Sequence, residues 1–425
     1  MTRILLLSHT TGYQLRAFND AAERLGVEIV FATDRCHRLD DPWQDRAIAV
    51  RFHDVPGSLR AIVDRAGRAP VNGVIAVGDR PVVLAACAAE ALGLDWHDAE
   101  GALASTDKRR ARRLLARAGL PSPAFQVRPL AEIVQGGSEG LRRSIPRFPV
   151  VVKPVGLSGS RGVIRANDVD ECQSAIWRIR ALLARPEIRA ARSGLEDEIL
   201  IEEYIDGDEL ALEGVLTYGA LQTFAIFDKP DPLVGPFFEE TIYTTPSRLS
   251  DARQRAVAEA VRAGATALGL LHGPVHAEVR IAPDGRIYVL EIAARPIGGL
   301  CSRVLTFANG ASLEEVLIRH ATGEDITAVR RESGGAAVMM IPIPRRGVLK
   351  GVTGLDDART VAGVKEIRIT AKPDQLLEQL PEAGSYLGFI FARGGTAAAA
   401  EAAVRAAHQK LAFEIAREIG VVSRA

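Results

Sequence analysis

Residues 288–299, "YVLEIAARPIGG", combine an apolar strand with an acid, an arginine and two glycines. The preceding segment, "HGPVHAEVRIAPDGR", ends in Asp284 and Gly285, which predict a two-residue hairpin turn. That turn would place Glu278 directly across from Glu291. Opposed carboxylates at about 5 Å repel one another unless a positive charge lies between them. The hairpin therefore predicts a hard divalent cation held by oxygen ligands, or alternatively acids on a solvent-facing strand.

Alternation along the two strands divides their side chains between two faces. One face is predicted to be apolar, with Val279, Ile281, Leu290 and Ile292. The other face carries both carboxylates together with His276, Arg280, Ala293 and Arg295. Magnesium in such a site usually takes one or two protein carboxylates and completes its shell with phosphate oxygens and water. The pattern therefore predicts a nucleotide beside the metal.

A glycine-rich hairpin, "VVVKPVGLSGSRGV", lies at residues 150–163. Lys153 projects from its first strand just before a loop that contains Gly156, Ser158, Gly159, Ser160 and Gly162. Glycines let backbone N–H groups approach phosphate oxygens, and serine hydroxyls add donors. The segment is not a Walker loop, because it leads into a strand and lacks Gly-Lys-Ser/Thr. The alternative is a hairpin tip without special function.

A second pair of strands is predicted in "LIEEYIDGDELALEG", residues 200–214. The first carries Glu202, Glu203 and Tyr204, turns at residues 206–207, and continues into a strand that begins with Glu209. Backbone groups near Tyr204 are candidates to bind an adenine edge, with Ile205 and Leu290 as apolar contacts for its faces. Each acid could equally be a plain surface residue.

Composition excludes several classes of function. The chain has 425 residues, 47% hydrophobic and 25% charged, with 53 basic and 53 acidic side chains. No bulk positive charge exists to attract nucleic acid or an anionic membrane. The basic run "KRRARR" at 108–113 is predicted to be a solvated helix face.

Four cysteines, Cys36, Cys87, Cys172 and Cys301, show neither CxxC spacing nor matched histidines, so neither zinc nor disulfides are predicted. No run is long enough to span a bilayer, and "MTRILLLSHTTGYQ" is predicted to be a buried strand rather than a signal peptide. A cytoplasmic location is the expectation.

Organisation along the chain changes near residue 105. Before it, "RILLLSH", "VEIVFAT" and "VNGVIAVGD" alternate with helical patterns, which predicts a parallel α/β sheet. After it come the three strand pairs above. A final portion from about residue 334 has the strands "GGAAVMMIPIP", "VKEIRIT" and "YLGFIFARG", and "TAAAAEAAVRAAHQKLAFEIAREIG" is predicted to be a long closing helix.

A family resemblance is carried by an ordered set: Lys108, "VVKP", "GLSGSRG", "EEY", then Glu278, Glu291 and Arg295. This set resembles the ATP-grasp superfamily of ATP-dependent carboxylate ligases over about residues 1–320. The segments "EIAARPIGGLCSR", "MMIPIPRRGVL" and "GSYLGFIFARG" are similar to the L-amino acid ligase branch and extend the resemblance to nearly the whole chain. Each motif is short, but their order and spacing together are specific.

The resemblance implies a mixed α/β and α+β fold in three parts. Residues 1–105 would form an N-terminal parallel α/β domain. Residues 106–325 would form the ATP-grasp domain, with a mobile glycine-rich lid subdomain at about 118–200. Residues 326–425 would form a C-terminal α+β domain similar to that of biotin carboxylase-like enzymes.

The resemblance also implies roles for single residues. Lys108 and Lys153 would bind the phosphates of ATP, and the loop with Ser158, Gly159 and Ser160 would close over the transferring phosphoryl group. Glu203, Tyr204 and Ile205 would hold adenine, with Glu202 and Leu290 also in the nucleotide site and Glu209 reaching the ribose. Glu278 and Glu291 would bind Mg²⁺, with Mn²⁺ as a substitute, and Arg295 would neutralise the phosphate. Many relatives have asparagine at the position of Ala293, which leaves the number of metal ions open.

The implied reaction activates a carboxylate as an acyl phosphate and then joins it to an amine, releasing ADP and phosphate. His276 would either orient the carboxylate or accept a proton from the amine, or else be structural. Gly298 and Gly299 would let the substrate approach the backbone or simply form a turn. The expected partners are small molecules, most simply amino acids, and a homodimer is left open. Hydrogencarbonate activation and a catalytically inactive ATP-binding scaffold are the alternatives.

Overall fold

The structure, a computed structural model, describes residues 1–9, 14–34 and 47–417. Its N-terminal part alternates strands and helices: β1 (Arg3–Ser8), α1 (Leu15–Leu25), β2 (Glu28–Thr33), β3 (Ile48–Ala49), α2 (Val55–Arg68), β4 (Gly73–Val77), α3 (Val82–Leu92) and α4 (Ala99–Thr106). The strands form a parallel sheet of order β3-β2-β1-β4. The predicted parallel α/β part is confirmed.

The next part contains the glycine-rich hairpin. Its elements are α5 (Lys108–Arg117), β5 (Phe125–Pro129), α6 (Leu130–Ser144), β6 (Val150–Pro154), β7 (Ile164–Ala166), α7 (Val169–Leu183), α8 (Pro186–Arg189) and β8 (Glu198–Glu203). The strands form an antiparallel sheet of order β5-β8-β6-β7, here called the lid sheet. The Asp107 carboxylate accepts hydrogen bonds from the backbone N–H groups of Arg109 and Arg110, which fixes the start of α5.

An antiparallel eight-stranded sheet forms the centre of the molecule, in the order β13-β12-β9-β10-β11-β14-β18-β16. Its first members are β9 (Asp208–Thr217), β10 (Ala220–Asp228), β11 (Ile242–Thr245), β12 (Gly273–Ile281) and β13 (Ile287–Ala293), with α9 (Asp251–Leu268) packed against them. One apolar core joins the N-terminal sheet to this sheet, from Leu5 through Leu212 to Ile292.

The final part contributes to the same central sheet. Its elements are α10 (Leu313–Ala321), β14 (Gly335–Ile341), β15 (Gly347–Thr353), α11 (Leu355–Arg359), β16 (Val364–Ile369), β17 (Leu376–Leu377), β18 (Gly388–Gly394), α12 (Ala397–His408) and β19 (Ala412–Ala416). The small sheet β17-β15-β19 stands apart from it. Because β14 pairs with β11, the strands of the middle and final parts are continuous in one sheet.

Two predicted elements are wrong. The strands β8 and β9 do not pair with each other, since β8 belongs to the lid sheet and β9 to the central sheet. The short link 204–207 therefore crosses from one sheet to the other. The closing helix ends at His408, and "AFEIA" forms β19 against β15. The predicted helix beyond residue 417 lies outside the described residues.

Three cysteines fall in the described part of the chain, Cys87, Cys172 and Cys301, and all three are free thiols. Cys36 lies outside the described residues. Among the helices of residues 1–9, 14–34 and 47–417, none has both the length and the apolar character needed to cross a membrane.

Candidate active site

A cavity lies between the lid sheet and the central sheet, and residues of the C-terminal part also line it. Every residue predicted for the site lines it: Lys108, Lys153, Ser158, Gly159, Ser160, Glu202, Glu203, Tyr204, Ile205, Glu209, His276, Glu278, Leu290, Glu291 and Arg295. The structure thus brings the whole predicted set together, and the role of each residue stays a prediction.

The two carboxylates lie opposite one another as predicted, but the turn and the strand register that bring them together differ from the prediction. Glu278 is the register partner of Glu291. The turn has three residues rather than two, because Ala282 pairs with Arg286 through a hydrogen bond of 2.9 Å. A bulge at Leu290 then restores the expected pairing. The bulge also brings Leu290 to the cavity, so its predicted place on the opposite face is wrong.

Each of the two carboxylates contacts a lysine. The Lys108 Nζ lies 3.2 Å from Glu291, and the Lys229 Nζ lies 3.1 Å from Glu278. Lys108 also donates to the carbonyl of Leu157, at 2.8 Å. The positive charge that such a pair requires is therefore supplied in this structure by two ammonium groups.

Lys229 also binds Glu209, which was predicted to reach the ribose, and Glu240, which was not predicted for the site. Its Nζ lies 2.7 Å from Glu209 and contacts Glu240. Burial lowers the pKa of Lys229, but the three surrounding carboxylates raise it well above its ordinary value. Oxygens of Glu209, Glu240 and Glu278 lie within 4.8 Å of one another, a donor set that suits a hard divalent cation.

A sequence signal for Lys229 existed. It stands in "IFDKP", a Lys-Pro at the end of an apolar strand, as Lys153 does in "VVVKP". Lys153 lines the cavity at the end of β6, and Lys229, which directly follows β10, contacts the cavity residue Glu278.

The helix α5 carries basic residues into the protein. Arg112 is buried, and its guanidinium donates to the Glu202 carboxylate at 2.7 Å. Lys153 contacts the same carboxylate at 2.6 Å. Burial raises the pKa of Glu202, but the two cations lower it below its ordinary value. The prediction of a solvated helix face is wrong for Lys108 and Arg112, which lie four residues apart and therefore on one side of the helix.

The glycine-rich loop is held from two sides. The Gly162 N–H donates to the carbonyl of Pro381 at 2.8 Å, and the Ser158 hydroxyl lies near Asp79 and helps to lower the pKa of that carboxyl. Gly162 has φ +72°, and a Cβ there would lie 2.7 Å from the Pro154 ring, so only glycine fits. The loop therefore contacts both the N-terminal and the C-terminal parts.

Arg295 is held by an acid from the N-terminal domain. Its Nε donates to Asp79 at 2.8 Å, and its Nη1 donates to the carbonyl of Pro296 at 3.1 Å. Burial raises the pKa of Asp79, but Arg295 lowers it to about 2. Asp79 was missed by sequence reasoning, although it stands just beyond the carboxyl end of β4, where ligand sites of parallel sheets form.

His276 forms a buried dyad with Glu213. Its Nδ1 lies 3.1 Å from the Glu213 carboxylate, which is fully buried and also accepts a hydrogen bond from the N–H of Ile297. The Gln14 side chain donates to the carbonyl of Ile297. Burial raises the pKa of Glu213 although His276 opposes the shift. Both the N–H and the C=O group of Ile297 are thus hydrogen-bonded, which positions the segment that carries Arg295 and the two glycines.

The predicted base site lies where the chain crosses between the sheets. The Tyr204 ring stacks on Phe238 with centroids 6.4 Å apart, and the Arg165 guanidinium lies 4.1 Å from its centre. Arg280 donates to the carbonyl of Ile205 at 2.7 Å and to Glu209 at 2.8 Å. Glu209 already binds two cations here, so a ribose hydroxyl would share it with them.

Three family models match successive parts of the chain. The ATP-grasp N-terminal domain matches residues 19–94, the ATP-grasp domain matches residues 146–304, and the L-amino acid ligase C-terminal domain 2 matches residues 339–416. The three matches follow one another along the chain, from its N-terminal part through its middle to its C-terminal part.

Among curated proteins the chain is similar to alanine–anticapsin ligase of Bacillus subtilis, with 26% identity over 262 residues. The match covers 58% of this chain and 53% of that ligase, so the chain spans about half the length of this relative.

Among solved structures, L-amino acid ligase from Bacillus licheniformis has a TM-score of 0.82 at 24% identity, over 98% of this chain and 99% of that chain. A biotin carboxylase from Campylobacter jejuni has a TM-score of 0.65 at 16% identity, over 98% and 92%. These likenesses confirm the predicted fold. The three family models identify an ATP-grasp N-terminal domain, an ATP-grasp domain and an L-amino acid ligase C-terminal domain 2, so the chain resembles the L-amino acid ligase branch of the ATP-grasp carboxylate–amine ligases.

Proposed function

We propose that the protein is an ATP-dependent ligase that activates the carboxylate of an amino acid as an acyl phosphate and joins it to an amine. The observation that carries this proposal is the charge arrangement in one cavity. Lys108, Lys153 and Arg295 lie around the opposed carboxylates Glu278 and Glu291, under a glycine-rich loop. This combination suits transfer of a phosphoryl group, which asks a protein mainly for positioning and charge neutralisation.

The nucleotide would lie along the lid sheet. Lys153 and Lys108 neutralise its phosphates, and the link 203–205 with Leu290 contacts its base. The buried Arg112–Glu202–Lys153 set fixes the Lys153 side chain, so its ammonium group is held in place before the nucleotide arrives.

Mg²⁺ fits the donor set of Glu278 and Glu291, and Mn²⁺ would substitute for it. When bound, the metal would neutralise phosphate charge as a Lewis acid. Lys108 and Lys229 contact these carboxylates in this structure, and the ammonium group of Lys108, which lines the cavity, would turn to phosphate oxygens when the metal is bound. Glu209 and Glu240 supply further oxygens near Glu278, where Ala293 replaces the asparagine of many relatives.

The chemistry has two steps. An oxygen of the substrate carboxylate attacks the γ-phosphorus, the bond to the β-phosphate bridging oxygen breaks, and ADP leaves. The amine nitrogen then attacks the acyl carbon and phosphate leaves. Arg295, oriented by Asp79, lies where it can neutralise the charge that develops on the phosphate and the acyl oxygen.

His276 would accept the proton of the amine. If Nδ1–H donates to Glu213, the Nε2 lone pair is left for the cavity. The Glu213 carboxylate would stabilise the positive charge that the ring then gains. The loop 156–162 covers the site, which protects an acyl phosphate from water.

The test is ATP turnover with magnesium across a grid of paired amino acids, with ADP, AMP, phosphate and product masses measured together. The proposal expects ADP and phosphate with certain pairs, and a product lighter than the pair by one water. Turnover with hydrogencarbonate and no amino acid would assign the protein to carboxylation instead. Unchanged ATP with every candidate would favour a nucleotide-binding scaffold.

A further inference from the structure

One segment of the C-terminal part contacts both the cavity and the elements that cover it. Residues 378–386, here called the latch, follow β17 and lead towards β18. Near its end, Gly384, Ser385 and Tyr386 line the active-site cavity. Its first residues bind side chains of the lid region, which is the part of the chain from β5 to β8, residues 125–203. The latch therefore joins the cavity wall to the lid region.

Glu378 makes the main charged contact of the latch. Its carboxylate accepts two hydrogen bonds from the Arg185 guanidinium, at 2.8 and 3.4 Å, and one from Arg346 at 2.9 Å. Arg185 lies between α7 and α8 in the lid region, whereas Arg346 directly precedes β15. A two-pronged contact of arginine with a carboxylate fixes geometry as well as charge. One carboxylate thus ties the lid region to the C-terminal part.

Backbone contacts extend the latch to the glycine-rich loop. The buried Pro381 accepts the Gly162 N–H on its carbonyl at 2.8 Å. The Gly384 backbone lies against the Arg161 side chain, because a Cβ at Gly384 would lie 2.8 Å from the Arg161 Cδ. The same Cβ would lie 3.4 Å from the Gly159 carbonyl oxygen. The latch therefore packs along one side of the loop that would cover the transferring phosphoryl group.

The covered position of the loop has a cost at Arg161. Its Nε is buried and has no hydrogen-bond partner among the described residues, and a buried donor without a partner is unfavourable. Burial lowers the pKa of Arg161, while the charges of Glu187 and Glu378 oppose this shift. Glu378 therefore stabilises the covered loop through the Arg161 charge as well as through Arg185.

The charged contacts of the latch are partly exposed. The Arg185 and Glu378 side chains are 25% and 23% exposed, and the Arg178–Glu382 pair is more exposed still. Solvent screens such pairs, so they break and re-form at little cost. Substrates enter and products leave in each cycle, which requires the loop to leave its covered position. Contacts of this strength suit a segment that closes and releases.

We propose that Glu378 is a positioning residue of the ligase reaction. Through Arg185 and the hydrogen bond between Pro381 and Gly162, it holds the glycine-rich loop over the site while the acyl phosphate exists. This role rests on the proposed ligase function and adds to it a residue that does not line the cavity.

A loop that is not held would admit water to the acyl phosphate. The water oxygen then bonds to the acyl carbon, the bond from that carbon to the phosphate oxygen breaks, and the free acid and phosphate are released. ATP is consumed without ligated product.

Hydrogen–deuterium exchange of the loop peptide 156–163 tests this role without turnover. The full chain is measured with magnesium, with and without saturating AMP-PNP, a non-hydrolysable ATP analogue. We expect the analogue to slow exchange in the wild type, and Glu378→Ala with the analogue to exchange about 3–5-fold faster than wild type, as for loss of a partly exposed ion pair. Glu366→Ala is the matched control and should match wild type, since Glu366 pairs with two arginines outside the lid region, Arg303 and Arg368.

Gly384→Ala tests the packing apart from the charge. Its methyl group would meet the Arg161 side chain, so the loop should shift and its peptide should exchange faster than in the wild type. Exchange equal to wild type in both Glu378→Ala and Gly384→Ala would overturn the latch and leave the nucleotide site intact. Absence of any effect of AMP-PNP on the wild-type loop would overturn the proposed function as well.

The ratio of ADP to ligated product separates positioning from a general loss of structure. With the amino acid pair of highest wild-type turnover, the share of ADP released without product should rise about 3–5-fold in Glu378→Ala, in step with the exposure of the loop. A purely structural role would lower ADP and product together and keep their ratio. An unchanged ratio in Glu378→Ala, or an equal rise in Glu366→Ala, would contradict the positioning role.

Discussion

Two regions of the molecule bury ionisable side chains and treat them in opposite ways. In the active-site cavity, Arg295 pairs with Asp79, and Lys229 pairs with three carboxylates. The second region, here called the histidine cluster, consists of His97, His272 and His320. There the His272 and His320 rings stack 4.4 Å apart, and the Nδ1 atoms of His97 and His272 have no hydrogen-bond partner among the described residues.

The pKa directions show the difference. Burial raises the pKa of Asp79, but the neighbouring Arg295 lowers it to about 2, so the carboxylate stays ionised. Burial lowers the pKa of His97 to about 4; the Pro274 carbonyl opposes this shift and the other two histidines add to it. Burial alone therefore does not decide the charge state: an opposite charge nearby does. The side chains of the cavity stay charged where a phosphate would bind. The histidine cluster stays neutral where helices and strands pack against one another.

The largest effect should follow removal of the arginine from the cavity. Arg295→Ala takes away the cation beside the developing phosphate charge, and turnover should fall about 10³-fold, as for arginines in phosphoryl transfer. The measurement is ADP release at saturating ATP, with circular dichroism to confirm the fold. Arg303→Ala is the matched control, since Arg303 pairs with Glu366 at the surface, and it should keep most activity. Turnover of Arg295→Ala within a few-fold of wild type would contradict the role of Arg295 in neutralising the developing phosphate charge.

The second-largest effect should be on the stability of the fold, through the buried Arg112–Glu202–Lys153 set. Glu202→Gln leaves Arg112 and Lys153 buried together without their shared carboxylate, and should lower the free energy of unfolding by about 3–5 kcal/mol. Urea unfolding without ATP measures this loss. Glu203→Gln, at the exposed neighbouring position, should change it by less than about 0.5 kcal/mol. Similar losses in both variants would mean that Glu202 is not an essential partner of the two cations.

The sequence predicted much of the site because its signals are local. Strand alternation and a turn placed Glu278 opposite Glu291, although the true turn is one residue longer and the bulge at Leu290 compensates for it. The glycines and serines of the loop after Lys153 predicted a phosphate contact without any knowledge of the lid sheet. The resemblance ordered these motifs along the chain.

The missed features depend on distant contacts. Asp79 and Lys229 contact cavity residues from other elements, and nothing beside them in the sequence identifies Arg295 or Glu278 as their partners. The segment 412–416 has Ala, Glu and Ile in a context of strong helix formers, which favoured a helix. It forms β19 because β15, about 60 residues earlier, offers a strand edge to pair with.

Acid should weaken the histidine cluster. In the unfolded chain, histidines bind protons below their ordinary pKa of 6.5. In the folded protein the pKa values of His97 and His320 are lowered to about 4, so these two rings stay neutral until about pH 4. Stability is therefore lost as the pH falls through this window, by about 1 kcal/mol per pH unit for each histidine.

His97→Gln tests this sign, because its amide can still donate to the Pro274 carbonyl as Nε2 does. Urea unfolding at pH 5, 6 and 7 should show a slope shallower than wild type by about 1 kcal/mol per pH unit. His53→Gln, at an exposed position, controls for the loss of a histidine. A slope equal to wild type in His97→Gln would contradict the assignment of a neutral, buried ring.

The smallest expected effect concerns an ion pair that is exposed to water, unlike the buried pairs of the cavity. Arg178 of α7 and Glu382 join the lid region to the C-terminal part at 2.8 Å, with side chains 43% and 28% exposed. Because solvent screens such pairs, a double-mutant cycle of Arg178→Ala and Glu382→Ala should give a coupling of only about 0.2–1 kcal/mol in the KM for ATP. The cycle cancels the separate contact of Arg178 with Phe237. Coupling that survives 0.5 M salt undiminished would place this pair with the buried ones, because salt screens exposed charges far more than buried charges.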